Sequence, residues 1–201
     1  MVLASLSFLL PGCNSPSFYG IETSIPVNPQ VSTPQQFQSP AFYSAPAQAE
    51  PPAVFSFVPL TQLANYRSLK KKQTNTEFHQ AYNIALEIVA PLAGLPRDQQ
   101  LIGIAHALRS RFDARGGKYS TSINHYNDPY GFLVLGISSC AGSARATGLC
   151  LNILGIPYEH VNENKWVHQW CRVNINGTYW ICDAFVLYAG PEPAPYSHPR
   201  A

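Results

Sequence analysis

The sequence predicts an α+β fold in which several helices precede a small antiparallel sheet. Residues 76–89 and 97–113 carry apolar side chains at helical spacing, and a third apolar segment follows the Ser-Ser pair at 138–139. Further along, the Asn-Gly pair at 176–177 separates two runs that are rich in aromatic and β-branched residues, which is a strong hairpin pattern. Helices followed by a hairpin are typical of an α+β domain.

Composition limits the classes of protein to which the chain can belong. The 201 residues are 46% hydrophobic and only 12% charged, so the folded part can bury a real core. A formal charge of +2 is too small to indicate a nucleic-acid partner, and the basic run at 67–72 is interpreted as a solvated helix face. No stretch reaches the ~18–20 apolar residues of a membrane span.

The first 13 residues predict export. The short apolar run 2–10 leads into Leu-Pro-Gly-Cys, which resembles a lipobox with Cys13 as the lipidated residue. No Lys or Arg precedes the run, and Pro11 stands where a small residue is usual, so an ordinary cleaved signal or a misassigned start remains an alternative. The expected location is extracellular or at the cell surface, with membrane contact only through a lipid anchor.

Three further segments are expected after the export signal. Residues 14–59 are rich in Pro, Ser, Gln, Ala and Tyr and nearly uncharged, which predicts a disordered or polyproline-like tether. Residues 60–190 form the folded domain, and the Pro-rich residues 191–201 form a surface tail.

The folded domain begins with three predicted helices, at 61–72, 76–89 and 97–113. The aromatic, polar segment 118–136 then leads to the next helix. It contains Asn127-Asp128-Pro129, which indicates a turn.

The next helix places Cys140 in its first turn and ends at Gly155, with Pro157 just beyond. A helix N-terminus favours a thiolate through its unpaired N–H groups and its dipole, and the same N–H groups can face a developing oxyanion. Cys140 is therefore a candidate nucleophile. In isolation, a cysteine at this position is more often a small buried hydrophobe.

The sheet is predicted from three runs, at 158–161, 166–174 and 179–185, of which the last two form the hairpin. A two-residue turn fixes the register, so that Trp170 faces Asp183 and His168 faces Phe185. His168 and Asp183 then lie on one face as diagonal neighbours, roughly 7–8 Å apart at the backbone.

Cys140, His168 and Asp183 together make a nucleophile, a base and a group that orients the base. A single histidine on a hairpin is usually a surface residue, and an aspartate near a strand end is usually a turn or cap. Their joint occurrence at compatible geometry favours a Cys-His-Asp triad for acyl transfer.

The chain has five cysteines, and an odd number in an exported protein indicates at least one unpaired thiol. The hairpin register places Cys171 opposite Cys182, on the face away from His168 and Asp183. A disulfide is possible there, but two buried free thiols are favoured. No Cys/His spacing of the zinc type is present, so no metal is expected.

These residues resemble the transglutaminase-like superfamily of papain-like cysteine enzymes, over roughly residues 101–185. Members carry a Cys at a helix start followed by Gly-Ile-Pro, then His-x-Trp, a turn glycine, a Trp and an Asp. The matching positions are Cys140, Gly155-Ile156-Pro157, His168, Trp170, Gly177, Trp180 and Asp183. The chain departs from the pattern at Ser138, where glycine is frequent, and at Ala184-Phe185, where Pro-Thr is usual.

The resemblance implies a papain-like, transglutaminase-core fold, no metal or organic cofactor, and acyl transfer with peptide hydrolysis, Gln–Lys crosslinking or sugar-amide cleavage as outcomes. Hydrolysis of an extracellular peptide or cell-wall peptide is favoured, and the alternative is a catalytically silent surface module that binds peptide or glycan in the same cleft. The family uses an upstream side chain in its oxyanion hole, for which Tyr130, His125 and Tyr126 are candidates, but most of these three residues are expected to wall the substrate cleft instead. Trp170 is expected to wall the site or fill the core.

Overall fold

The computed structural model describes residues 55–195, in which helices precede a four-stranded antiparallel sheet. The predicted α+β class is confirmed. The predicted export signal with Cys13, almost all of the tether and the end of the tail lie outside the described residues. The described part of the chain holds no helix that is both long and apolar enough to cross a bilayer.

The first part of the domain is helical. A 3-10 turn at Leu60–Gln62 precedes four helices: α1 (Tyr66–Lys70), α2 (Asn75–Val89), α3 (Arg97–Ala114) and α4 (Cys140–Ile153). The helix predicted at 61–72 is broken in two because Asn65 adopts a left-handed conformation (φ 56°), which asparagine tolerates. Before α2, Thr74 and Glu77 form a capping box.

The main sheet has the order β3 (Glu159–Val161), β4 (Trp170–Ile175), β5 (Thr178–Asp183) and β6 (Tyr188–Pro191), all antiparallel. The predicted hairpin register is confirmed, since Cys171 pairs with Cys182. Both are buried free thiols. A separate two-stranded parallel pair joins β1 (Lys118–Tyr119) to β2 (Ile137–Ser138) just before α4.

One predicted strand begins later in the structure, and two features were not predicted. The strand expected at 166–174 begins only at Trp170, so His168 lies in the connection before β4 rather than within a strand. β6 was not predicted, and it continues past residue 190 to pair along β5. At the other end, the Val58 N–H donates to the Ile153 carbonyl at 2.9 Å, so contact with the domain begins before residue 60.

α4 lies at the centre of the main core. All of its residues from Ala141 to Ile153 are buried, with α2 and α3 packed against it and β4 on another side. One face of the sheet contributes Cys171, Val173 and Cys182 to this core, while Val161, Trp170 and Ile181 form a smaller cluster on the other face. The helix that begins at Cys140 is therefore fixed by packing on nearly every side.

Candidate active site

Cys140 is the first residue of α4, and its helix start is not capped by a side chain. Ser139 is the N-cap residue, but its hydroxyl donates to the Tyr126 carbonyl at 3.2 Å instead of accepting from the helix. The first N–H groups of α4 therefore face the site, and the Ala141 N–H lowers the pKa of the Cys140 thiol. Gly142 lets the Tyr126 segment approach, since a Cβ there would lie 2.7 Å from the Tyr126 carbonyl oxygen.

His168 and Asp183 meet directly. The imidazole Nε2–H donates to Asp183 Oδ2 at 2.6 Å, and Asp183 Oδ1 accepts the N–H of Phe185 at 2.9 Å. Trp170 stacks on one side of the ring, with centroids 5.9 Å apart and planes at 21°. Asp183 is buried at the end of β5, where β6 pairs with it through Tyr188. The carboxylate and the ring are thus fixed from several sides.

The electrostatics of the pair favour a charged thiol and a charged imidazole. Burial lowers the pKa of His168, but hydrogen bonds to Asp183 and to Cys140 outweigh burial and raise that pKa to about 9. Burial raises the pKa of the Cys140 thiol, and the hydrogen bond to His168 with the backbone N–H groups of Gln169 and Ala141 brings it below the ordinary value. Both shifts favour the thiolate–imidazolium form of the pair over the neutral form.

Cys140 and His168 open into a cleft of about 490 Å³. Tyr126 lines this cleft, as do Tyr119, Trp166 and Phe185. The other three predicted wall or oxyanion residues do not line it. Trp170 is buried beneath the His168 ring and belongs to the small core cluster on the far face of the sheet.

His125 and Tyr130 are held away from the cleft by a polar cluster. His125 Nδ1 pairs with Asp128 Oδ2 at 2.9 Å, its Nε2 lies 3.7 Å from Glu77 Oε1, and its ring packs edge-on against Tyr130. Tyr130 itself packs against the main core. These two residues therefore support the segment that carries Tyr126.

Asp128 is more than the turn residue that the sequence indicates. It is buried, and Oδ1 accepts the Gly131 N–H at 3.0 Å at the start of a π-helical turn, Gly131–Leu135. Burial raises the pKa of its carboxyl, although hydrogen bonds from Gly131 and His125 act in the opposite direction. Asp128 is thus a structural element of the segment that walls the site.

Arg145 is a site residue that the sequence reasoning missed. It is buried on α4, and its five N–H groups have five acceptors within 3.3 Å, which is the full capacity of a guanidinium. The acceptors are the carbonyls of Ser68, Asn127 and Ala141 and the side chains of Glu163 and Asn164. A sequence clue existed, because Arg145 is the one charged residue in the apolar stretch 137–157.

The connection from β3 to β4, residues 162–169, contains His168 and positions it beside Cys140. Asn162 and Asn164 take left-handed conformations with φ of 58° and 62°, and the Asn162 amide donates to the His168 carbonyl at 2.9 Å. Gln169 accepts from His160 Nε2 at 3.0 Å and donates to the Lys165 carbonyl at 2.8 Å. We name this connection the histidine loop.

Among residues 55–195, no group of three His, Cys, Asp or Glu side chains is arranged to hold a metal ion. Comparison of the chain with protein-family models, with curated proteins and with solved structures gives no match.

Proposed function

We propose that this domain catalyses thiol-dependent acyl transfer and belongs to the transglutaminase-like, papain-like class of cysteine enzymes. Cys140 is the nucleophile, His168 the acid and base, and Asp183 the group that orients the imidazole. One observation carries the proposal: the His168 ring hydrogen-bonds Asp183 at 2.6 Å and also the thiol that begins α4. Such a relay from nucleophile to base to orienting group is the arrangement that acyl transfer requires.

In the proposed reaction, the Cys140 thiolate attacks an amide carbonyl and forms a tetrahedral intermediate with a new C–S bond. N–H groups at the start of α4 stabilise the negative oxygen. The His168 imidazolium gives its proton to the leaving amine as the C–N bond breaks, which leaves a thioester and a neutral imidazole. A water molecule then attacks the thioester while His168 takes its proton, and the C–S bond breaks, which releases the carboxylic acid and regenerates the Cys140 thiolate beside the imidazolium.

Hydrolysis is the favoured outcome, because the half-buried thiol opens into a cleft that water can reach and water is the default acceptor in an open site. Gln–Lys crosslinking and sugar-amide cleavage use the same residues. The proposed substrate is an extracellular peptide or cell-wall peptide, and the proposed location is extracellular or at the cell surface.

The test is the pH dependence of Cys140 alkylation by iodoacetamide, followed by mass spectrometry. Burial alone makes three other thiols label slowly, those of Cys150, Cys171 and Cys182. Preferential labelling of Cys140 is therefore no test of the proposal, whereas the pH profile of its labelling is. In the wild type we expect an inflection well below the ~8.5 of a free thiol. His168→Ala should move it up towards that value.

His106→Ala is the matched control, since His106 is exposed on α3, and it should leave the profile unchanged. A wild-type inflection near ~8.5 would instead favour the silent module that binds peptide or glycan. Mass spectrometry of a peptide library after incubation separates the chemistries, because hydrolysis adds water to the substrate while crosslinking releases ammonia.

A further inference from the structure

Large apolar side chains are exposed around the mouth of the cleft. Tyr119 is 65% exposed and Trp166 is 86% exposed, and both line the cleft together with Val167. On the Asp183 side, Val186 and Leu187 are 40% and 43% exposed. We name these five residues the apolar collar, and they make up five of the eleven large hydrophobic residues that are exposed within residues 55–195.

The collar is attached directly to the catalytic residues. Trp166 and Val167 immediately precede His168, and the Val167 carbonyl lies 3.9 Å from the Cys140 sulfur. Val186 follows Phe185 in the turn after Asp183, and the Val186 N–H donates to Asp183 Oδ1 at 3.4 Å. Trp166 and Val167, which line the cleft beside Cys140, can therefore contact a substrate whose amide reaches the thiol.

The turn that carries Val186 and Leu187 also shows backbone strain. Leu187 has a φ of 56°, a left-handed conformation that glycine and asparagine tolerate and a leucine does not favour. The backbone conformation costs free energy, and the side chain is 43% exposed. Strained residues of this kind concentrate at functional sites, where the surrounding structure holds them.

The interior of the cleft differs from its rim. Its lining includes the neutral polar side chains of Thr121, Asn127 and Ser139 and the cationic side chains of Arg145 and Lys165, and no Asp or Glu is among the described residues that line it. Hydroxyl and amide groups complement the N–H and C=O groups of a peptide backbone. The apolar rim complements side chains, so the cleft as a whole fits an extended peptide.

We propose that the apolar collar selects peptide substrates with bulky apolar or aromatic side chains next to the scissile amide. This inference rests on the proposed acyl transfer at Cys140. Rigid aromatic side chains bury large areas on contact, and the free energy of binding comes from the apolar surface that leaves water on both partners.

The test uses two peptidyl vinyl sulfones that differ in one residue beside the reactive group, Phe in one probe and Ser in the other. The Cys140 thiolate adds to the β-carbon of the probe, and the α-carbon takes a proton. Each second-order rate is divided by the iodoacetamide rate of the same variant, which corrects for changes in thiol reactivity. In the wild type we expect the Phe probe to react about tenfold faster than the Ser probe, corresponding to apolar burial of a few tens of Å².

Trp166→Ala should bring this Phe-to-Ser ratio close to one. Tyr179→Ala is the control, because Tyr179 is 44% exposed on β5 and does not line the cleft, and it should leave the ratio unchanged. A wild-type ratio near one, or a Trp166→Ala ratio equal to that of the wild type, would overturn the proposal. If the pH profile of iodoacetamide labelling is that of an ordinary thiol while the Phe-to-Ser ratio is high, acyl transfer is refuted and peptide selection by the collar is still supported.

Leu187→Gly provides a second, independent measurement. Glycine relieves the left-handed backbone, so we expect an unchanged or higher melting temperature together with a lower Phe-to-Ser ratio. A lower melting temperature with an unchanged ratio would show that Leu187 serves the fold and does not belong to the collar.

Discussion

At the residue scale, Cys140 and His168 change each other's proton affinity in opposite directions. The pKa of the thiol is lowered and that of the imidazole is raised to about 9, which widens the pH range in which thiolate and imidazolium coexist. We predict that the acylation rate rises as Cys140 ionises below pH ~8.5 and falls again near pH 9, where the imidazolium loses the proton that the leaving amine needs. Pre-steady-state release of the amine at each pH measures this. A rate that is flat through pH 9–10 would contradict the role of His168 as the acid.

The role of Asp183 leads to the second prediction at this scale. Asp183→Asn keeps the acceptor for the Phe185 N–H but places an amide where Oδ2 accepts from His168, which favours the wrong imidazole tautomer. By analogy with serine triads, we expect a loss of turnover on the order of 10²–10⁴-fold with little change in the melting temperature. Full activity would reduce the triad to a Cys-His pair.

The choice of control for Asp183→Asn follows from the structure. Sequence reasoning favours Asp128 as the neutral comparison, because it stands in a turn before Pro129. Asp128 is buried and supports the segment that carries Tyr126, so Asp128→Asn changes the cleft wall and is unsuitable. Asp98→Asn in the first turn of α3 does not touch the cleft and should retain wild-type turnover.

At the scale of elements, the proposed acyl transfer needs α4 and the histidine loop to keep one relative position. Arg145 joins them, since its guanidinium contacts the Ala141 carbonyl next to Cys140 and also Glu163 and Asn164 in the loop. A lysine ammonium group has only three N–H donors and lacks the planar, forked geometry of a guanidinium, so it cannot bind all of these acceptors. We predict that Arg145→Lys moves the alkylation pKa of Cys140 towards ~8.5 and lowers the free energy of unfolding by about 1–3 kcal/mol, as buried acceptors lose partners.

A merely structural role for Arg145 would lower stability without moving the thiol pKa, so the two measurements distinguish the roles. Arg172→Lys is the matched control. Arg172 also contacts two carboxylates, Glu159 and Glu192, but it lies on the sheet away from Cys140. It should change stability and leave the pKa of Cys140 unchanged.

Features that depend on residues close in sequence could be predicted from the sequence, and features that depend on contacts between distant residues could not. The start of α4 and the hairpin register follow from neighbouring residues, which is why Cys140, His168 and Asp183 could be placed together. Arg145 binds the Ser68 carbonyl 77 positions away, and no local pattern predicts such a contact. β6 was missed because Gly190 and Pro191 weaken a strand pattern, although an edge strand tolerates them.

At the scale of the whole molecule, the buried polar groups around Arg145 connect folding to pH. His160 is one of them, mostly buried, with Arg145 and Glu163 near it and Gln169 bound to its Nε2. Burial is the largest cause that lowers its pKa, to about 4, and the Arg145 charge acts in the same direction. His160 is therefore neutral in the folded protein at neutral pH.

This neutrality predicts acid sensitivity with a defined window. In the unfolded chain His160 titrates near ~6.5, so the unfolded state binds the proton first, and the stabilising contribution is full above ~6.5 and is lost as the pH falls towards 4. A shift of this size corresponds to about 3 kcal/mol. Denaturant titrations of the wild type and His160→Gln at pH 7 and pH 4 measure it, since the variant lacks this titration and should lose about 3 kcal/mol less over that interval. His106→Gln on the exposed face of α3 should lose as much as the wild type, and an equal loss in all three proteins would contradict the assignment of acid sensitivity to His160.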